Sequence, residues 1–203
     1  RRVTQYVYNG NYGDNKVKFG AYYGGSSKRS MKNLDLTNKR KNAWGTGLIF
    51  NHAIDSIQNV TVAAGFTREI SENANNTSYY RNAYGLGLAY NFVHTTYGLD
   101  LERQVTKNQG DKRTKNEVRA VVRQGLNEDW NVYAMYAYKT DKQFGDTDRT
   151  RQFMVGTEYY VYNQGSLKVK PFLEWQATRT KYENSAVDRS RDFKTVIGLR
   201  AYW

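Results

Sequence analysis

Charged residues of this chain recur at every second position, and this spacing decides what chemistry they could perform. In segments that alternate apolar and polar residues, the polar positions carry these basic side chains: Lys16, Lys18, Arg81, Arg119, Arg123, Lys139, Lys168, Lys170, Lys194 and Arg200. The same positions carry these acidic ones: Asp100, Glu102, Glu117, Glu158, Glu174 and Asp192. Rings of Lys and Arg around a narrow passage of low dielectric favour anions. The alternative is that these charges pair across strands and only stiffen a wall.

Residue patterns typical of catalysis are missing from the sequence. The chain has two histidines, His52 and His94, and both fall at predicted turns without a nucleophile beside them. It has no Cys, no metal-ligand spacing and no phosphate-binding glycine motif. We therefore expect no catalytic residue, no metal site, no cofactor and no enzymatic activity. The net charge of +12 would suit nucleic acid, but it is dispersed over alternate positions, so we expect no nucleic-acid partner.

The closing segment, residues 192–203, shows which elements carry the charges. Counting back in twos from Trp203 meets only uncharged residues, whereas the intervening positions include Asp192, Lys194 and Arg200. A period of two with charges on one parity predicts a β-strand whose faces meet different solvents. A terminal aromatic residue on the apolar face is typical of the last strand of a bacterial outer-membrane barrel.

Composition favours the same class of protein. Mean hydropathy is −0.84 and 39% of the residues are hydrophobic, yet 15% are aromatic and there is a single Pro. A transmembrane barrel needs apolar residues only at alternate positions, so it can be polar overall and still span lipid. No run of about 18 apolar residues exists that could form a helical span. We expect one all-β domain over residues 1–203, an antiparallel up-and-down barrel in the bacterial outer membrane.

The alternation predicts eleven strands and two kinds of connector. The strands are predicted at 3–12, 15–24, 41–51, 58–70, 78–92, 95–106, 115–126, 130–140, 149–162, 166–180 and 189–203. Short connectors alternate with longer polar ones, which are predicted at 25–40, 71–77, 107–114, 141–148 and 181–188. Short periplasmic turns and long extracellular loops are the rule in such barrels. Because eleven strands leave a barrel open, we expect a twelfth strand before residue 1 in the intact protein.

The two parities predict which side chains meet lipid and which meet the lumen. Predicted to face lipid are Val60, Val62, Ala64, Phe66, Leu86, Leu88, Tyr90, Val118, Ala120, Val122, Phe153, Val155, Tyr159, Leu167, Val169, Leu173 and Trp175. Small lumen residues beside Arg81 either keep the bore open or relieve strand curvature: Gly45, Gly47, Ala83, Gly85, Gly87 and Ala89. The basic loop 25–40 either attracts anionic solutes or contacts lipopolysaccharide phosphates.

Two C-terminal motifs resemble one family of barrels. The run Lys170-Pro171-Phe172-Leu173-Glu174-Trp175 and the closing Ile197-Gly198-Leu199 are similar to the last two strands of the small monomeric, oligogalacturonate-specific and sialic-acid-type outer-membrane channels. The resemblance implies a twelve-stranded, monomeric barrel with a narrow, arginine-lined, anion-selective pore for acidic sugars. It also implies a set of solute-contacting residues: Arg81, Arg119, Arg123, Lys168, Lys170, Lys194 and Arg200. This chain uses Lys beside Arg, and Lys offers a point charge rather than a planar fork.

The leading hypothesis is therefore a channel for passive, anion-selective uptake of acidic oligosaccharides or similar small anions. Its expected partners are the anionic solute, outer-membrane lipid and lipopolysaccharide. Two alternatives stay open. The chain could be the barrel segment of a larger export or assembly protein, or a barrel whose long loops bind a partner surface.

Overall fold

A computed structural model describes residues 3–25, 27–29, 38–72, 77–164, 167–185 and 188–202. Its strands are β1 (Val3–Tyr12), β2 (Asn15–Gly24), β3 (Ser27–Arg29), β4 (Asn38–Ala53), β5 (Gln58–Glu72), β6 (Ser78–Phe92), β7 (Thr95–Asn108), β8 (Asp111–Gly125), β9 (Trp130–Gln143), β10 (Asp146–Tyr159), β11 (Tyr162–Gln164), β12 (Leu167–Lys181) and β13 (Arg189–Tyr202). Trp203 and most of the loop 25–40 lie outside the described residues.

All of these strands belong to one antiparallel sheet. Each long strand pairs with the next long strand in the chain, from β1 to β13, while the three-residue strands β3 and β11 pair with β4 and β12. The predicted all-β, up-and-down architecture is thus confirmed. In the part of the chain that the structure describes, β1 and β13 do not pair with each other, so the sheet is not closed.

Most predicted strands lie where the alternation placed them, but two predicted loops are wrong. Residues 107–114 and 141–148 are the ends of long hairpins, joined by the two-residue turns Gln109-Gly110 and Phe144-Gly145. Both residues of each turn have positive φ, between 47° and 95°, which is the backbone that matches strand twist in a two-residue hairpin. These strand ends extend beyond the apolar band, so polar residues occupy both of their faces. Their composition therefore resembled that of a loop.

The strand register assigns every side chain to one of two faces, because directly opposite residues in a sheet point the same way. Asp100 lies opposite both Gly87 and Arg119, and the face that contains them is called the polar face. The other face, called the apolar face, carries the aromatic contacts Trp44–Phe66 and Phe66–Tyr84, each with ring centroids 5.0 Å apart. The predicted parities agree with this register throughout.

The sheet curls around its polar face. A cavity of about 600 Å³ is lined by residues from strands as far apart as β5 and β10, among them Gly65, Ala83, Lys139 and Thr150. Strands separated by four intervening strands can share a cavity only on the concave side. The charged parity therefore lines the inside and the aromatic parity covers the outside, as in a membrane barrel.

Gly156 and Gly198 on the polar face are covered by aromatic rings from the neighbouring strand. The Tyr133 ring lies over Gly156, so that a Cβ added there would meet it at 2.5 Å, and the Phe172 ring covers Gly198 in the same way at 2.4 Å. Each ring sits directly across the ladder from its glycine. Because glycine has no side chain, each ring can lie flat on the backbone of the neighbouring strand and extend toward the charged residues beside it.

We expect Gly156→Ala to destabilise the barrel by about 1–3 kcal/mol, the usual range for overpacking. The new methyl group displaces the Tyr133 ring from the backbone. Gly85→Ala is the matched control, since a Cβ there meets nothing within 4 Å. Urea unfolding in detergent micelles, followed by tryptophan fluorescence, measures both. Equal stability of the two variants would contradict the covering role of Tyr133.

Candidate functional site

The most buried charges of the polar face form one cluster around Glu158. Arg123 Nη2 contacts Glu158 Oε1 at 2.6 Å, while Lys170 Nζ and Arg200 Nη1 contact Oε2 at 2.9 and 3.0 Å. Arg200 also reaches Glu174, at 3.0 Å from Nη2 to Oε1. The Glu158 cluster, defined by Glu158, Arg123, Lys170, Arg200 and Glu174, thus joins four strands: β8, β10, β12 and β13.

Aromatic side chains hold the cluster in place. The Tyr133 hydroxyl donates a hydrogen bond to Glu174 Oε1 at 2.6 Å. The Lys170 ammonium lies 5.1 Å from the Tyr160 ring centroid and 5.5 Å from that of Tyr202. The Arg200 guanidinium lies 4.1 Å from the Phe172 centroid. Such contacts stabilise a desolvated cation by about 0.5–2 kcal/mol each, so they restrain the positions of the cations that a solute would meet.

Burial makes the Glu158 cluster a structural unit as well as a charged surface. The side chains of Glu158 and Lys170 are 5% and 8% exposed, whereas those of Arg123 and Arg200 are 43% and 38% exposed. Three cations face two carboxylates, which leaves one positive charge in excess. The two arginines are therefore the exposed cations of the cluster, and Glu158 and Lys170 form its buried centre.

A second group of ion pairs surrounds Glu117. Arg119 Nη2 and Lys139 Nζ contact its two carboxylate oxygens at 2.6 and 3.2 Å, and Arg119 also lies 3.8 Å from Asp100. Further along the sheet, Arg81 pairs with Glu69 at 2.9 Å. These arginines are therefore already engaged with carboxylates, as the wall-stiffening alternative expects.

The structure divides the seven predicted solute-contacting residues. Arg123, Lys170 and Arg200 meet in one cluster, while Arg119 and Arg81 belong to separate ion pairs. Lys168 and Lys194 lie on the polar face of β12 and β13, and neither makes an ion pair with any residue that the structure describes. The same is true of Lys16 and Lys18 on β2. The predicted track is thus a set of separated sites, some paired and some free.

Part of the polar face, on β2 and on β4 to β6, carries a row of glycines. Gly20, Gly47, Gly65 and Gly85 lie directly across from one another on β2, β4, β5 and β6. They line a cavity of about 440 Å³ that is bordered by Lys18, Asp100 and Glu102. A glycine row of this kind leaves room beside the charged strands for a solute to pass.

Beyond the apolar band, an ion pair joins the end of the β7–β8 hairpin to the end of the β9–β10 hairpin. Arg113 donates to both oxygens of Asp141, at 2.8 and 2.6 Å, and Lys115 approaches the same carboxylate at 3.5 Å. The hydrogen bonds from Arg113 hold the pKa of Asp141 below its ordinary value, and the same contact raises the pKa of Arg113. The carboxylate therefore stays ionised in mildly acidic water and keeps the two hairpin ends joined.

Comparisons with known proteins rest on structure alone. No protein-family model matches the chain, and no curated protein matches its sequence. Among solved structures, the chain is similar to OmpT (in-vitro folded), an outer membrane protein of Vibrio cholerae, with a TM-score of 0.64 and 14% sequence identity. The match covers 99% of this chain and 64% of that chain, so this chain spans less than two thirds of the length of its neighbour.

The fold is that of an outer-membrane β-barrel protein. At 14% identity the likeness shows the fold alone, and a barrel fold hosts more than one kind of activity. The expectation that the chain is not an enzyme is therefore corrected: it inferred inactivity from missing motifs, and the matched fold does not support that exclusion. Among the described residues no group of three or more His, Cys, Asp or Glu side chains could hold a metal ion, and no helix could span a membrane.

Some residues of the site were not among the predicted solute contacts. Glu158 was placed on the lumen parity, but nothing in the sequence marked it as the partner of three cations. Tyr133 was not singled out by the sequence. It lies two residues before Met135 and therefore shares its parity, which places both side chains on the polar face. Long-range partners such as Arg123 and Glu158 depend on strand register, which alternation alone does not fix.

We expect Glu158→Gln to destabilise the protein by about 3 kcal/mol. Removing one partner of a buried charge pair costs roughly 3–5 kcal/mol, and the partial exposure of Arg123 and Arg200 places this site at the lower end. Glu102→Gln is the control, because Glu102 makes no ion pair with any described residue, and we expect a change within about 0.5 kcal/mol. Urea unfolding in micelles measures both; a small effect at Glu158 would show that the cluster is solvated.

The Asp141–Arg113 pair predicts an acid dependence of the contact between the β7–β8 and β9–β10 hairpin ends. Because the folded pKa of Asp141 lies below its ordinary value of 3.8, the stabilisation is fully present above that value and is lost as the pH falls through the folded pKa. We expect hydrogen-exchange protection factors at the two hairpin ends, residues 107–114 and 141–148, to stay constant down to about pH 4 and then to fall.

Asp141→Asn removes the ion pair at every pH. We expect the hydrogen-exchange protection factors at these two hairpin ends to drop by about two- to fivefold at pH 7, the range for a partly exposed pair. Their acid dependence should vanish. Asp111→Asn, at the nearby turn between β7 and β8, is the control and should leave both unchanged. An acid dependence that survives in Asp141→Asn would assign it to another group.

Proposed function

We propose that this chain is an outer-membrane channel for passive, anion-selective passage of small anions, with acidic oligosaccharides as the solute class. The observation that carries the proposal is the division of the polar face into two walls. One wall is a row of glycines directly opposite one another, and the other carries ion-paired arginines and lysines. A cavity of about 600 Å³ is lined by Gly65 and Gly85 of the first wall and by Lys139 of the second, and a cavity of about 440 Å³ lies over the glycine row.

The charges favour anions through their sum rather than through one binding pocket. In each of the two main clusters, the number of cations equals or exceeds the number of carboxylates. Glu158, for example, contacts Arg123, Lys170 and Arg200. Four more polar-face lysines have no ion-pair partner among the described residues: Lys16, Lys18, Lys168 and Lys194. An excess of fixed positive charge in a passage with low-dielectric walls raises the local concentration of anions.

The chemistry of these groups suits transit rather than capture. Lys18 and Lys194 offer compact, strongly hydrated charges on flexible stems, so a carboxylate exchanges quickly between them and water. Arg123 and Arg200 remain tethered to Glu158, and a solute carboxylate competes with that carboxylate instead of binding a free fork. Weak, repeated sites of this kind satisfy the requirement that a channel recruit a solute without retaining it.

The solute class rests on the resemblance of the last two strands to the oligogalacturonate and sialic-acid channels. Acidic sugars carry carboxylates on a ring that also has an apolar face. On the polar face, Tyr133 and Phe172 lie beside the arginines of the Glu158 cluster, so a ring and its carboxylate could each find a partner there.

The test is single-channel recording of the purified protein in planar lipid bilayers. We expect a conducting pore that prefers chloride to potassium, and Lys18→Gln/Lys194→Gln should lower this preference without disturbing any ion pair in the described structure. The matched control removes an exposed charge from the apolar face: Arg103→Gln should leave selectivity unchanged. A preference for cations, or equal effects of both variants, would contradict the anion field.

Oligogalacturonate added to one side tests the solute class. We expect it to interrupt the chloride current in a concentration-dependent way, whereas a neutral oligosaccharide of the same length should not. Absence of any conductance would overturn the channel itself and would favour one of the other two hypotheses, a barrel segment of a larger assembly or a barrel that binds partners through its loops.

A further inference from the structure

The outer wall carries a basic patch that the proposed channel does not use. It is formed by the ends of β10, β12 and β13 at the long-loop side of the sheet, and it is called the arginine patch. Its members, all exposed and all on the apolar face, are Arg149, Arg151, Arg179, Lys181, Arg189 and Arg191.

The strand register places these cations directly against one another. Arg179 lies opposite Arg151 on one side and Arg191 on the other, and Lys181 lies between Arg149 and Arg189 in the same way. Opposite positions hold Cβ atoms about 4.5–5.5 Å apart, and like charges there are destabilising. Two adjacent rows of three cations are therefore unfavourable unless something of negative charge lies over them.

No protein group described in the structure supplies that charge. Along the apolar face of β9, β10, β12 and β13 there is no Asp or Glu. Asp192 points to the polar face, and Asp188, which precedes Arg189, makes no ion pair with the patch in the described part of the chain. This contrasts with the polar face, where the arginines of every cluster have carboxylate partners.

The patch borders the apolar band of the wall. One step inward along the strands, Phe153, Ala177 and Phe193 lie opposite one another, and Trp175 contacts both rings, with centroids 6.5 and 6.2 Å away. From Leu167 to Ala177 the apolar-face positions of β12 carry no charge, a length of eleven residues that suits one crossing of a bilayer. Arg179 therefore lies at the level where acyl chains give way to headgroups.

A cavity of about 290 Å³ connects the two levels. It is lined by Arg151, Arg179 and Arg191 at one side and by Tyr136, Phe153 and Phe193 at the other. A ligand that fills it must offer anionic oxygen atoms to guanidinium groups and hydrocarbon to aromatic rings. Guanidinium groups bind phosphate oxygens through paired hydrogen bonds.

We propose that the arginine patch is a binding site for the phosphorylated headgroup of an outer-leaflet glycolipid, the chemistry of lipopolysaccharide. The phosphates lie over the two rows of cations and relieve their mutual repulsion, while the first acyl chain packs on Phe153 and Phe193. A soluble polyanion would satisfy the charges but not the aromatic side of the cavity. The inference rests on the outer-membrane setting of the proposed function, but it concerns the outside of the wall.

The test measures binding of the two-phosphate lipid A to the protein in phosphatidylcholine nanodiscs by native mass spectrometry. We expect Arg179→Gln/Arg191→Gln to weaken binding about 30-fold, since each basic residue near a phosphate surface contributes roughly fivefold. The matched control removes two apolar-face charges elsewhere, Arg68→Gln/Arg103→Gln, and should change binding by less than about threefold. Equal losses in the two variants would overturn the site, because they would reflect general charge alone.

Two further probes separate the lipid from other ligands. Dephosphorylated lipid A should bind the unaltered protein no better than phosphatidylcholine does, and equal binding of both forms would show an acyl groove without a phosphate site. Inorganic tripolyphosphate should fail to displace lipid A; full displacement would overturn the commitment to a lipid and leave a soluble-anion site. Phe193→Thr should weaken lipid A binding without changing tripolyphosphate binding, which separates the aromatic side of the cavity from the charges.

The same variants distinguish this site from the channel. Arg179→Gln/Arg191→Gln should keep the conductance and anion preference of the unaltered protein, because both residues lie outside the polar face. A protein that binds lipid A as described but conducts nothing would contradict the channel alone. A conducting, anion-selective protein whose lipid binding ignores the patch would contradict this inference alone.

Discussion

The constraint on which the structure depends is that opposite residues of neighbouring strands share a face. A one-residue slip in any ladder would move every charged side chain of a strand to the outside. In lipid, the apolar parity must cover the outer wall and every backbone group must pair within the sheet. The register, set by the turns and by the alternation of apolar and polar residues, brings Arg123 and Glu158, 35 positions apart in the chain, within reach of each other.

Once the register is fixed, the polar face becomes a problem of electrostatics. Burying Glu158 alone would be costly, but three cations from three other strands converge on it. The covered glycines make this convergence possible, because Gly156 lets Tyr133 lie against the wall and reach Glu174. The cluster thereby links β8, β10, β12 and β13 and carries one positive charge in excess. The same contacts that stabilise the sheet therefore also give the polar face part of its positive charge.

How far the sequence predicted this depends on the range of the interaction. Strands such as Ser78–Phe92 and both faces followed from a period of two, which is a local property. The hairpin ends at 107–114 and 141–148 were predicted as loops because, outside lipid, polar residues occupy both faces and the alternation disappears. The partners of Glu158 were not predictable at all, since choosing among several cations of the same parity requires the register of four ladders.

Like charges lie opposite one another on both faces of the sheet, but among the described residues only those of the polar face contact a carboxylate. On the polar face, Arg200 lies opposite Lys170, but Glu158 contacts both, so the repulsion is compensated within the protein. On the apolar face, Arg179 and Arg191 are opposite one another with no carboxylate among the described residues of that face. Folding alone does not favour such an array. A counter-charge from outside the described residues would relieve this repulsion, and the neighbouring aromatic band favours one that also carries hydrocarbon, such as the glycolipid phosphate proposed above.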